Sequence, residues 1–467
     1  MKVLSNHGYK IIKKEYSSTL IKEIKDELTV KPRTFTKTKQ NEHKFPVFLE
    51  SPKKLYLPRF YALDKLGVPD ENKILDGTPI SIPFTGELRE EQKPIEEVYL
   101  KNAYDNGGGI ISLRCGGGKT VLSLHIISVL KVKTLVVVHK DFLMTQWRDR
   151  ILEFLPGARI GKIQQNTIDI EDKDIVLAMV QSLSMKEYDE GTFDSFGLVV
   201  YDECHHLGAE VFQKSMAKVA SKYSLGLSAT PKRKDGLTKV FEWFIGPIVF
   251  SQKTKNEDYA EVQLTPFESD DILYNKIELN FRREPCMPKM INNICNYLPR
   301  TQMIVDLIKK YNQQGRTILI LSDRRGHLQT LYDLLSDYSR GFYVGGMKPN
   351  ELRESQTKDI LLATFSMASE GMDIPSLDTV ILSSPKSDVE QSVGRIFRKK
   401  ACDRNFHPLI IDIQDEFSSF EKQCQKRVSF YRKMNFTLFK DGEELPKIKR
   451  GRKKKEVAVQ DFLLIDE

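Results

Sequence analysis

The stretch Leu113-Arg114-Cys115-Gly116-Gly117-Gly118-Lys119-Thr120 carries the residue types needed to hold a chain of phosphates. The apolar run Ile110-Ile111-Ser112-Leu113 before it reads as a strand, and Val121 to Ile127 after it reads as a helix. Strand, glycine turn, Gly-Lys-Thr and helix is the setting a phosphate loop requires. Gly116, Gly117 and Gly118 let backbone N–H groups turn inward and approach phosphate oxygens. The helix N-terminus adds partial positive charge at the same place. Lys119 would reach the β- and γ-phosphates and Thr120 would hold Mg²⁺. Arg114 and Cys115 belong to the same cradle, while Leu113 stands where the usual pattern has Gly or Ala.

A second group of chemical residues ends another apolar strand. Leu198-Val199-Val200-Tyr201 runs into Asp202-Glu203-Cys204-His205. A carboxylate at the C-terminal end of a parallel strand faces the ligand crevice. Asp202 would coordinate Mg²⁺, and Glu203 would orient or deprotonate an attacking water. His205 and His206 have no further ligand set nearby in sequence, which speaks against a zinc site. Gln92, upstream of the phosphate loop, could read an adenine edge with its amide. Ser228-Ala229-Thr230 ends a further strand, and its hydroxyls could relay phosphate state. The second half of the chain has no phosphate loop but holds Gln391-Ser392-Val393-Gly394-Arg395-Ile396-Phe397-Arg398. Continuous helical spacing would place Gln391, Arg395 and Arg398 on one face. Arginines in a domain without a phosphate loop suit fingers pointed at a γ-phosphate bound elsewhere.

These residues need scaffolds. The 467 residues suggest roughly three domains. Hydrophobic content of 40% and charged content of 29% are ordinary for a globular chain. No apolar run approaches the ~20 residues that span a bilayer, and the N-terminus lacks an apolar signal core, so neither membrane insertion nor secretion is expected. The cysteines at 115, 204, 286, 295, 402 and 424 form no C-x-x-C pair, which favours reduced thiols over disulfides or zinc. The net charge of +8 concentrates at the two ends, residues 1–80 and 446–467, leaving a near-neutral middle and suggesting a polyanionic partner.

Residues 1–80 read as a small accessory domain. Ile11 to Leu28 would form a short amphipathic helix, and Pro32, Pro46, Pro52 and Pro58 would break the rest into extended pieces. The aromatic and basic residues of 45–61 suit either nucleic-acid contacts or this domain's own core, and the core is the preferred reading. Residues 81–252 alternate strands and helices, with Thr134–His139 and Ile175–Val180 as buried parallel strands. Residues 253–298 lose that rhythm and read as a linker with some structure. It resumes over 299–440, through Arg316–Ser322, Asp359–Thr364 and Thr379–Ser383. Residues 441–467 form a basic tail, either a nucleic-acid arm or a localisation signal.

In their order, these motifs resemble those of superfamily 2 helicases: Gly-Gly-Gly-Lys-Thr at 116–120, Asp-Glu-Cys-His at 202–205, Ser-Ala-Thr at 228–230 and Gln-x-x-Gly-Arg-x-x-Arg at 391–398. Leu362-Ala363-Thr364 through Gly371-Met372-Asp373 looks like the motif that couples ATP and strand in the second domain, with Gly371 and Asp373 at the nucleotide. The resemblance implies an α/β fold of two tandem RecA-like domains, each a parallel sheet flanked by helices. It also implies ATP and Mg²⁺ as cofactors. By the same analogy, nucleic acid is held by Lys140, Gln146, Gln181 and Ser182 of the first domain and by Ser322, Arg324 and Thr364 of the second.

Leu113-Arg114-Cys115-Gly116 and Gly226 to Gly236 are similar to the XPB-like branch, although Arg233-Lys234-Asp235 departs from its Arg-Glu-Asp. Leu55-Tyr56-Leu57-Pro58-Arg59-Phe60-Tyr61 looks like the front end of the poxvirus transcript-release DNA helicases and their counterparts in other large cytoplasmic DNA viruses. That likeness implies a DNA helicase that frees nascent RNA alongside the transcription machinery, in host cytoplasm or virion; the basic tail leaves a nuclear site open. The alternatives are an RNA helicase of mRNA processing, acting on RNA or a DNA–RNA hybrid, and a non-catalytic nucleic-acid clamp. Intact Lys119, Asp202, Glu203 and Arg398 speak against the clamp.

Overall fold

The computed structural model describes residues 1–5, 7–32, 44–113, 116–204, 209–216, 218–229, 236–252, 259–372, 374–399 and 401–446. The chain divides into two compact units: residues 1–255 with 367–373, and residues 256–366 with the chain from 374 onward.

The first unit begins with a small sheet. Its strands β1 (Val3–Ser5), β2 (Gly8–Ile12), β5 (Leu49–Glu50), β6 (Lys54–Leu57) and β7 (Glu71–Asn72) lie in the order β5-β6-β2-β1-β7. β3 (Thr29–Val30) and β4 (Phe45–Pro46) pair separately. The helix expected from Ile11 is shorter, Ser18–Glu27, with the Ser17 hydroxyl accepting from the Leu20 N–H at 3.2 Å. Tyr9 and Ile11 instead alternate into the core of β2, opposite Leu57 and Leu55. Period-two burial wins over helical spacing there. Phe45 and Tyr61 are buried, as an accessory core requires. That core is shared, because Leu237 and Val240 of the helix Thr238–Ile245 complete it and the Tyr61 and Trp243 rings meet edge to face at 5.5 Å.

The larger sheet of this unit comprises β8 (Gly108–Ser112), β9 (Thr134–Val138), β10 (Ile160–Gln164), β11 (Thr167–Asp169), β12 (Ile175–Met179), β13 (Leu198–Tyr201), β14 (Tyr223–Ser228) and β15 (Ile248–Ser251). Their order is β11-β10-β12-β9-β13-β14-β8-β15, parallel except at β11. Successive side chains enter opposite cores. Val136, Val138, Leu198 and Val200 face one layer, and Leu135, Val137, Val199 and Tyr201 face the other. Burial on both faces is what the unbroken apolar runs encode, since helices must cover each side of a parallel sheet.

The second unit has a sheet of β16 (Glu261–Phe267), β17 (Ile318–Ser322), β18 (Arg340–Tyr343), β19 (Ile360–Thr364), β20 (Thr379–Leu382), β21 (Leu409–Asp415), β22 (Thr437–Lys440) and β23 (Glu443–Glu444). The order is β18-β19-β17-β20-β21-β16-β22-β23, parallel except at β23. The segment 253–298 is therefore more than a linker. Its strand β16 sits between β21 and β22, and Met287–Asn296 is a helix whose Met290, Ile294 and Cys295 are buried. The strand Glu-Val-Gln-Leu-Thr-Pro-Phe alternates buried and half-buried residues, a weaker sequence signal than a solid apolar run.

Two buried ion pairs fasten β21. The Arg300 guanidinium donates to both Asp415 oxygens at 2.7 and 2.9 Å, and Tyr274 donates to Oδ1 at 2.7 Å. Arg427 Nε donates to the Asp412 oxygens at 3.0 and 2.9 Å, and Tyr431 donates to Oδ2 at 3.0 Å. Each buried carboxylate is thereby hydrogen-bonded as well as paired, the condition under which burial of charge is tolerated.

Candidate active site

The glycine turn leaves β8 and ends at the helix Lys119–Leu130. Gly116 and Gly118 have φ of +80° and +74°, left-handed values that an L side chain would strain. A Cβ on Gly118 would also lie 2.5 Å from Gln92 Nε2. Gln92 is buried, and its amide donates to the carbonyls of Gly117 and Gly118 at 3.3 and 3.1 Å. Its Oε1 accepts from the Arg89 N–H at 3.0 Å, and Arg89 Nη1 reaches the Gly116 carbonyl at 3.4 Å. In a trans peptide the N–H points away from the carbonyl of the preceding residue. Drawing three successive carbonyls toward Gln92 and Arg89 therefore turns the N–H groups of Gly117, Gly118 and Lys119 the other way. That is a donor set for a phosphate at a helix N-terminus. Gln92, expected to read adenine, here spends its amide on shaping the loop.

The strand order places β14 between β13 and β8, so three strand ends carrying three motifs stand side by side. Glu203 spans them. Its Oε1 accepts from Lys119 Nζ at 2.5 Å and its Oε2 from the Ala229 N–H at 3.3 Å. Glu203 holds a φ of +45°, a strained backbone for a non-glycine residue. Such strain persists where surrounding contacts over-determine it.

Asp202 leaves β13 with its N–H on the Val137 carbonyl at 3.1 Å, and its buried Oδ2 accepts from Trp147 Nε1 at 2.8 Å. Burial first, and then the adjacent Glu203 charge, push its carboxyl above the ordinary carboxylate value; Lys119, Trp147 and His139 pull it back. Among the described residues, two neighbouring carboxylates at this strand end face Lys119, an arrangement that suits a divalent cation. Thr120, half-buried in the first turn of the helix, is the hydroxyl next to Lys119 in sequence. Trp147 was not assigned a role from sequence; an indole on the helix after β9 gives no local signal that it will meet a carboxylate 55 residues away.

The nucleic-acid residues expected in the first unit gather beyond the ends of neighbouring strands β9 and β12. Lys140 is the N-cap of the helix Asp141–Phe154 that carries half-buried Gln146, and Gln181 Nε2 donates to the His139 carbonyl at 3.0 Å. Ser182 differs from the expectation: its buried hydroxyl accepts the Gln165 N–H at 2.9 Å and holds the scaffold.

In the second unit Ser322 and Thr364 are register partners at the ends of β17 and β19. Ser322 is fully buried, its hydroxyl bonded to His327 Nδ1 at 3.2 Å and accepting from the Arg324 N–H at 3.1 Å. It too positions its neighbours. Arg324 donates to the Pro288 carbonyl at 3.0 Å and to Asn292 Oδ1. Thr364 pairs its hydroxyl with Ser366 at 3.2 Å.

Gln391, Arg395 and Arg398 do not lie on one continuous helix. An α-turn at Glu390–Val393 passes at Gly394 into a 3-10 turn, Gly394–Phe397, so α-helical spacing fails across them. Arg395 is buried, and Gln391 and Arg398 are half-buried. Gly371 closes the helix Phe365–Gly371. Arg114, Cys115, His205 and Asp373 lie outside the described residues, as do Thr230 and the tail from 447.

Residues 85–233 match the family described as type III restriction enzyme, res subunit, and residues 299–400 match the helicase conserved C-terminal domain. A protein of Acanthamoeba polyphaga mimivirus named "Putative ATP-dependent RNA helicase L396" is 35% identical over 453 residues, covering 94% of this chain and 86% of its own. "Putative helicase 161L" of invertebrate iridescent virus 6 is 24% identical, with 81% and 88% covered. "Probable helicase D10" of Escherichia phage T5 is 27% identical, with 76% and 77% covered.

Proposed function

Because the chain belongs to the superfamily 2 helicases and is an ATP-hydrolysing enzyme of that group, we propose that it moves along DNA and releases transcripts during viral transcription. The observation that carries the motor reading is the pair of hydrogen bonds that Glu203 accepts from Lys119 and Ala229, which ties the phosphate loop to the end of β14. A change in what Lys119 holds is then felt at residues 228 and 229.

The roles of the side chains follow from their surroundings. Lys119 exchanges Glu203 for phosphate oxygens when nucleotide enters, leaving Glu203 free to orient and deprotonate a water. Trp147 holds the Asp202 carboxylate in place toward the metal side of the site. A bound Mg²⁺ would neutralise phosphate charge there, held by Thr120 and Asp202. Arg395 and Arg398 supply positive charge to the transferring phosphoryl group in this proposal. Lys140, Gln146 and Gln181 of the first domain, with Arg324 and Thr364 of the second, grip the strand, while Ser182 and Ser322 keep those elements in register.

Support for DNA and transcript release comes from the front segment. Leu55 to Tyr61, which carries the likeness to transcript-release helicases, is built into the first domain through Arg59. Its guanidinium donates to the carbonyls of Asn106 and Lys222 at 3.0 and 2.9 Å. RNA is the second reading, favoured by the mimivirus relative's own name. Phosphate release measured with single- and double-stranded DNA and RNA separates them. Greater stimulation by DNA supports the proposal; stimulation by RNA alone replaces it with the second reading.

A further inference from the structure

The second unit carries an exposed apolar edge outside the sites above. Ile277, Leu279 and Phe281 are 53, 47 and 89% exposed. Phe281 is at the tip of a tight hairpin. Leu279 and Pro285 form an antiparallel bridge, the Asn280 N–H donates to the Glu284 carbonyl at 2.9 Å, and the Asn280 carbonyl accepts from the Arg283 N–H at 3.0 Å. The Asn280 side chain accepts from the N–H groups of Arg282 and Glu284 at 2.8 and 3.1 Å.

The base of this hairpin is fixed. The Cys286 N–H donates to the Glu278 carbonyl at 2.6 Å, and the flanking Tyr274, Met290 and Ile294 are buried in one cluster. Tyr274 is bonded in turn to Asp415, the carboxylate that Arg300 grips. A rigid base under an aromatic tip loses little conformational entropy on binding. An aromatic side chain kept in water costs free energy unless something covers it.

The charges around the tip say what that is. Arg282 and Arg283 follow Phe281 through the turn and are both exposed, and the Arg282 guanidinium lies 5.0 Å from the centre of the Phe281 ring. Residues 275–289 carry Lys276, Arg282, Arg283 and Lys289 against Glu278 and Glu284, a net positive charge. An exposed aromatic ring followed by two exposed arginines matches an unpaired base and its phosphates, since every base has a π-face and every linkage an anion. A neutral apolar protein surface would leave both guanidinium groups desolvated without acceptors.

We propose that the hairpin 278–286 is a stacking contact for an unpaired base of the nucleic acid this helicase works on, with Phe281 as the platform and Arg282 and Arg283 as phosphate contacts. The proposal rests on the helicase reading for its partner but is tested through binding alone. Labelled single-stranded oligonucleotide is titrated into the full chain without nucleotide, with melting temperature as the folding control; Phe281 is exposed, so its variants should melt like the wild type. Phe281→Ala is expected to weaken binding about tenfold, the scale of one lost base–aromatic stack. Phe281→Trp is expected to bind like the wild type and to lose indole fluorescence as oligonucleotide is added. Phe281→Leu is expected to behave like the alanine variant. Wild-type affinity in Phe281→Ala, full rescue by Phe281→Leu, or a change of oligomeric state in place of a change of affinity would overturn the proposal. Nucleic-acid-stimulated ATP hydrolysis by the wild-type chain, measured in parallel, reports separately on the helicase reading.

Discussion

Trp147 Nε1 donates to Asp202 Oδ2 at 2.8 Å, in the buried space between two parallel strand ends. The bond fixes the orientation of a carboxylate whose charged form is already disfavoured by burial and by Glu203. Trp147→Phe removes the donor and keeps an aromatic ring. Hydrogen bonds to charged groups contribute about 1.5–3 kcal/mol. The Mg²⁺ concentration for half-maximal ATP hydrolysis should therefore rise about tenfold or more, with much of the maximal rate restored at high Mg²⁺. An unchanged Mg²⁺ titration would remove Asp202 from the metal side of the site.

Glu203→Gln should bind ATP and lose turnover by about 10²–10⁴-fold, because the amide preserves shape and cannot accept a proton. Nucleotide binding by equilibrium dialysis and single-turnover hydrolysis separate the two steps. Loss of binding with unchanged turnover per bound ATP would assign Glu203 to holding Lys119 and nothing more.

Much of the candidate ATP site is local, which is why its residues can be picked out in sequence. Glycines, lysine and the flanking apolar runs are contiguous, and the Asp-Glu pair follows its own strand. What sequence could not supply was which polar atoms turn inward. Gln92, Ser182 and Ser322 are types suited to ligands, yet each spends its side chain on a backbone group made neighbour by the fold. The Gln391–Arg398 segment failed for a different reason. Helical spacing presumes one helix type, and the chain changes type at Gly394. β16 gives only a weak sequence signal because five of its seven residues are partly covered, so its pattern lacks the solid apolar run of its neighbours.

Arg59 is the joint between the N-terminal sheet and the first large sheet. Among the described residues its hydrogen-bond acceptors are the carbonyls of Asn106, Ser221 and Lys222, and burial brings its guanidinium down to about 10. Arg59→Ala strands those carbonyls, at about 1–3 kcal/mol for each one left buried and unpaired. A drop in the denaturation midpoint corresponding to at least about 2 kcal/mol is expected from that range, and lysine should restore only part of it. A midpoint equal to wild type would mean the N-terminal sheet is held by its apolar core alone.

His327 gives the second unit an acid-sensitive spot. Burial first, and then the Arg300 charge, hold its imidazole down to about 3. The unfolded chain takes up that proton near the ordinary value of 6.5, so between these values the unfolded state binds more protons and stability falls as pH falls. Acidification from pH 6.5 to 5 should cost about 2 kcal/mol from this group. His327→Asn should flatten that part of the stability–pH curve relative to wild type. Parallel curves for the two proteins would contradict the buried neutral imidazole.

In the proposed function, ATP hydrolysis at Lys119, Asp202 and Glu203 is driven by nucleic acid and depends on the arginines of the second domain. The most direct measurement is steady-state phosphate release by the wild type, Lys119→Ala and Arg398→Ala, each titrated with single-stranded DNA. The wild-type rate should rise with DNA, Lys119→Ala should show no hydrolysis, and Arg398→Ala should bind ATP and DNA yet hydrolyse roughly 10³-fold or more slowly. Wild-type hydrolysis indifferent to every nucleic acid tested, or DNA-stimulated hydrolysis surviving in Arg398→Ala, would contradict the account.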